Sequence, residues 1–129
     1  KELSKYYKFA DAVIGQMRAG VLGSVEREAA LCGIPVIHYV NPIFRYIIND
    51  KKVNAPFLPN SNDPKEIAKI IDKIVESKKF RDNLAIAEYE FVSELCDPDK
   101  AVAEWEDLFE LMHQKYPLIM KNSLKIIRN

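Results

Sequence analysis

Two short apolar runs frame the first third of the chain: residues 10–15, Ala-Asp-Ala-Val-Ile-Gly, and residues 34–40, Ile-Pro-Val-Ile-His-Tyr-Val. Both are shorter than a typical helix and read as buried strands, the first stopping at a glycine. Between them, residues 16–23 form a loop with two glycines, Gly20 and Gly23. Val25, Ala29, Ala30, Leu31 and Cys32 then suit a helix packed hard against a sheet, and Gly33 supplies its left-handed stop. Strand, loop, helix and strand in that order predict a right-handed crossover in a parallel sheet. Residues 1–9 read as the end of a preceding helix.

Residues 41–54 carry two signals. Ile43, Phe44, Ile47 and Ile48 have helical spacing, whereas Pro42 and residues 49–54 favour loops flanking a short helix. Residues 55–59 offer a third, short strand. Asp63-Pro64-Lys65-Glu66 is a helix start, and Ile67, Ile70, Ile71, Ile74 and Val75 give that helix one apolar face. Phe80, Leu84, Ala87, Phe91 and Leu95 mark a second amphipathic helix. Asp97-Pro98 opens a third, striped by Val102, Trp105, Phe109 and Met112, and Tyr116-Pro117 ends it. The predicted class is α/β: a Rossmann-like half domain with a small parallel sheet flanked by helices and a helical carboxyl-terminal part. Residues 1–116 form this domain, and residues 117–129 are expected to be a tail helix that crosses to a missing N-terminal domain.

Composition narrows the function. A length of 129 residues, 48% of them hydrophobic, suits one core and leaves no room for a second full domain. Lys plus Arg and Asp plus Glu both number 19, so no basic field exists to hold nucleic acid. No apolar run approaches the roughly 20 residues of a transmembrane helix. Cys32 and Cys96 lack metal-binding spacing and read as reduced core thiols of a cytoplasmic protein. With Lys1 first and no targeting segment, the chain reads as a piece of a longer protein.

In an open parallel sheet, ligands bind beyond the carboxyl ends of the strands, and here the 16–23 loop stands there. It leads into a helix N-terminus, whose unpaired N–H groups and dipole favour phosphate, and Gly20 and Gly23 allow close approach. Glycines at this spacing also serve a plain tight turn. Glu28, in the second helical turn, could accept hydrogen bonds from a pair of ribose hydroxyls; the alternative is an ordinary surface ion pair. Glu26 points elsewhere on the helix and is expected to serve the helix dipole alone.

Ala-Asp-Ala-Val-Ile-Gly-Gln from residue 10, Gly20-Val-Leu-Gly23, and the run from Glu28 through Ala, Ala, Leu, Cys and Gly33 to Ile, Pro35, Val36 and Ile37 carry a resemblance. Together they resemble the donor-site signature of retaining glycosyltransferases with the two-domain B fold, glycosyl transferases group 1. The likeness extends over most of the chain. It implies that Glu28 binds the ribose of a nucleotide-diphosphate sugar and that Gly23 and Ser24 lie near the diphosphate. Gly20, Gln16 and Val25 complete the candidate donor-binding set. It implies no cofactor and no metal beyond the donor substrate, a hexosyltransferase role in carbohydrate biosynthesis, and peripheral membrane association of the full-length enzyme. Electrostatic stabilisation of the departing diphosphate would drive transfer. The basic clamp and the acceptor-side histidine would come from the missing N-terminal acceptor domain, so this chain alone is not expected to catalyse transfer, and no catalytic residue is assigned in it. One departure matters: the family usually has a sugar-contacting glutamate eight positions before Glu28, and Gly20 stands there. Gln16 or Arg18 would then replace it, or the sugar contact differs.

His38 and His113 have no visible triad or metal partner, and Trp105 and most tyrosines read as packing residues. Tyr39 and Asn41, following the second strand, are the candidates to border the base or sugar. Two rival readings stay open: a sugar-nucleotide epimerase domain, and a non-catalytic Rossmann-like interaction module.

Overall fold

A computed structural model describes residues 3–117. The tail helix expected over residues 117–129 therefore falls, but for Pro117, outside the described residues. The chain divides into a unit ending at Leu95 and a second beginning at Cys96. In the first unit the order is α1 (Leu3–Tyr7), β1 (Val13–Ile14), α2 (Ser24–Leu31), β2 (Val36–Ile37), β3 (Tyr46–Ile48), β4 (Lys51–Val53), α3 (Pro64–Glu76) and α4 (Lys78–Leu95). The fold is α/β, with a small parallel sheet and flanking helices, as the apolar pattern predicts.

β1 and β2 pair in parallel, Val13 opposite Val36 and Ile14 opposite Ile37. Leu58 adds a single parallel bridge to Ile37, with the His38 N–H donating to the Leu58 carbonyl at 2.8 Å, so the expected third strand shrinks to one contact. That leaves the Val36 N–H without a strand partner. The Glu88 carboxyl group from α4 accepts it instead at 2.7 Å, because a buried N–H must be satisfied somewhere.

α2 ends in a Schellman motif: the Gly33 N–H donates to Ala30 O at 2.9 Å and the Ile34 N–H to Ala29 O at 3.2 Å. Gly33 has φ +73°, and nothing lies within 4 Å of a Cβ placed on it, so backbone conformation alone demands glycine. Residues 41–54 depart from the helical reading. They contain an antiparallel hairpin, β3 against β4, turned at Asn49 and Asp50 with φ of 51° and 61°. Positive φ at both central positions is the type I′ geometry that matches strand twist, and it outweighs the i, i+3, i+4 coincidence of the isoleucines.

Ile37 from β2, Ile70 and Ile74 from α3 and Leu84 from α4 form a core cluster, with Met17, Leu58 and Phe80 packed against it. A chain of edge-on rings, His38 to Phe57 to Phe91 to Tyr46, ties β2, the hairpin and α4 together. α3 begins as its Asp-Pro signal predicts, the Asp63 carboxylate accepting the Lys65 N–H at 2.9 Å. The second unit holds α5 (Pro98–Lys115), capped in the same way by Asp97, with Trp105 and Phe109 ring centroids 5.7 Å apart.

Candidate functional site

Val13 and Gly15 donate across to Pro35 and Ile37, which brings the ends of β1 and β2 level and puts the 16–23 loop beyond both. Gln16 organises that loop from within. Its side-chain oxygen accepts the N–H of Ala19 at 2.8 Å and of Gly20 at 3.4 Å, and its Nε2 donates to the Val21 carbonyl at 2.9 Å. Gly20 is buried at φ +70°, and its carbonyl accepts the Asn41 N–H at 3.0 Å, tying the loop to the exit of β2. A Cβ at residue 20 would stand 2.4 Å from the Asn41 nitrogen. No glutamate can occupy that position in this backbone, which gives the departure from the family pattern a steric cause.

The loop then enters α2 through Gly23, an N-cap with no side-chain hydrogen bond. The first N–H groups of an α-helix have no partner within it, here those of Ser24 and Val25, and both residues are exposed. Leu22, 2% exposed, anchors the turn, and its carbonyl accepts from Arg27 at 3.0 Å.

Glu26 and Glu28 lie on opposite sides of α2, because residues two positions apart in a helix are turned about 200° from each other. Glu28 is exposed, and its charge, after burial itself, helps to hold the Tyr7 phenol of α1 above its usual range. Glu26 shares the buried face with Ala29 and Ala30. Its expected role stopped at the helix dipole, yet its Oε1 accepts the Gln16 N–H at 3.2 Å and lies 3.3 Å from His38 Nδ1, without the alignment of a hydrogen bond. Burial lowers the His38 pKa despite the nearby carboxylate, so the ring is neutral at pH 7. The spacing of Glu26, Ala29 and Ala30 is the one signal that could have placed Glu26 inside; its charge concealed it.

Beside the loop, Asn41, Arg45, Tyr46, Asn54, Phe57 and Asn60 line part of a cavity of about 240 Å³. Asn41 lines it, and Tyr39 does not. Gln16, Gly20, Gly23, Ser24 and Val25 are thus gathered in one loop and helix start, with Glu28 one turn further on. Among the described residues no group of three metal-ligating side chains occurs, and no helix is long and apolar enough to cross a membrane. Exposed backbone donors at the mouth of a parallel sheet suit the holding of an anion.

A family model, glycosyl transferases group 1, matches residues 1–91, from α1 into α4. No curated protein and no solved structure matches the chain.

Proposed function

The chain belongs to the group 1 glycosyltransferases, and on that premise we propose that its first unit binds the nucleotide-diphosphate sugar from which a sugar is transferred. One observation carries the reading: the loop beyond two parallel strands runs into a helix whose N-cap is a bare glycine. Its first-turn donors are thereby left to a ligand, and the helix dipole favours a negative one. In this reading Gly23, Ser24 and Val25 receive the diphosphate, Glu28 accepts from the ribose hydroxyls, and Gln16 and Gly20 shape the loop around them.

The cavity beside Asn41 receives the transferred sugar. Its volume of about 240 Å³ falls below the usual range for drug-sized ligands and suits a single ring rather than a whole nucleotide. Departure of the diphosphate is helped where the helix N-terminus offsets its growing charge. An acceptor-binding domain completes the reaction, and no metal or cofactor is invoked.

Titration calorimetry of the chain with uridine, guanosine and adenosine diphosphates tests this. One of them binds, and Glu28→Ala weakens it roughly 10-fold or more, the loss expected of a hydrogen bond to a charged group. Absence of heat with all three sinks the reading, and unchanged affinity in E28A removes Glu28 from it.

A further inference from the structure

We infer that Glu26, which donor binding does not use directly, is the positioning residue of the 16–23 loop, one buried carboxylate hydrogen-bonded to its entry and packed against its exit. At the entry end, Oε1 accepts the Gln16 N–H at 3.2 Å. At the exit end, Oε2 lies so close to the N-cap that a Cβ on Gly23 would come within 2.6 Å of it. Below, a Cβ on Gly15 would stand 2.7 Å from Glu26 Oε1 and 2.8 Å from His38 Nδ1. Gly20 and Gly33 have positive φ; Gly23, at φ −85°, does not, and clearance for the carboxylate accounts for it and for Gly15.

The arrangement is hierarchical. Glu26 holds the backbone of Gln16, and the Gln16 side chain in turn holds Ala19, Gly20 and Val21. Glu26 is 5% exposed and His38 is fully buried. Burying a carboxylate is costly, and an apolar side chain would fill a core position at less cost. Ordering the loop is what the carboxylate does there that an apolar group could not. That the loop so ordered meets a diphosphate rests on the function proposed above; that Glu26 orders it does not.

Amide hydrogen exchange across residues 16–23, alongside diphosphate calorimetry and urea melts, tests the inference on the 129-residue chain. In Glu26→Ala the amides of Gln16, Ala19 and Gly20 exchange about 10-fold faster relative to those of β2, and diphosphate affinity falls by a similar factor. Glu26→Gln keeps a carbonyl oxygen for the Gln16 N–H and stays within about 3-fold of the parent on both measures. Loop exchange in E26A that is unchanged, or faster only in step with the loss of global stability, overturns the inference. Should E26A not fold, Gly23→Ala decides: its Cβ displaces the carboxylate, so the Gln16 amide loosens, and an unaltered Gln16 amide overturns the inference equally. If the parent chain binds no diphosphate, the proposed function fails while the exchange comparison still judges Glu26.

Discussion

Glu88 of α4 lies with its carboxyl oxygen 2.7 Å from the Val36 nitrogen, so a helix side chain completes the hydrogen bonding of a sheet strand. The group is fully buried, and burial, opposed only in part by that hydrogen bond, pushes its pKa from 4.5 up to about 8. At neutral pH it is a carboxylic acid.

The consequence for stability has a definite sign. Between pH 4.5 and about 8 the folded chain keeps a proton on Glu88 that the unfolded chain has released, so stability is fully present below 4.5 and falls as pH rises through that window. The slope approaches about 1.4 kcal/mol per pH unit. His38, with its pKa lowered, works the other way and costs stability only as pH drops below 6.5. Urea denaturation from pH 6.5 to 8 therefore isolates Glu88: the parent weakens across the range, and Glu88→Gln is nearly flat. Parallel pH curves for the two proteins would refute the assignment.

Gly20 and Gly33 share a positive φ but differ in surroundings. Alanine at 33 meets open space and costs about 1 kcal/mol, the strain of a left-handed residue. Alanine at 20 adds a collision with the Asn41 backbone and costs at least about 2 kcal/mol. Equal losses in denaturant melts would show that the loop is not clamped at Asn41.

The hairpin turn can be improved. Asp50 sits at φ 61°, a conformation that glycine adopts without strain, and Asp50→Gly makes the favoured Asn-Gly pair. The expected gain is about 0.5 kcal/mol, read as a higher urea midpoint with unchanged slope. A loss instead would mean that the Asp50 side chain contributes more than the turn does.

Arg45→Ala separates sugar from nucleotide. Arg45 is among the residues lining the cavity beside Asn41, and none of the α2 N-terminal residues lines it. Under the proposed function, the variant binds the bare nucleoside diphosphate as the parent does, yet binds its sugar-bearing form roughly 10-fold more weakly. Equal losses for both ligands in competition calorimetry would put the sugar elsewhere.

Much of the fold is legible because its signals are local. Gly33 stops α2, and the Asp-Pro pairs at 63 and 97 cap α3 and α5, each through contacts with residues a few positions away. The hairpin is less legible, since Ile43, Phe44, Ile47 and Ile48 satisfy a helical period by chance while the decision falls to two turn residues. Glu88 is beyond such reading altogether: it answers an N–H 52 positions earlier, exposed by the shortness of a third strand. In the candidate site, the loop and helix start follow from the glycines and apolar runs. Glu26 does not, because a charged residue at the start of a helix is usually in water, and only packing reveals which side of α2 it takes.

Met17 leaves the 16–23 loop to lodge against the cluster of Ile37, Ile70, Ile74 and Leu84. Its unbranched, pliable side chain fills the space between the mouth of the sheet and the interior. A substitution at Ile70 or Ile74 of α3 would thus shift what Met17 rests on and so the loop itself, and under the proposed function the hold on a diphosphate would change with isoleucines that never meet it.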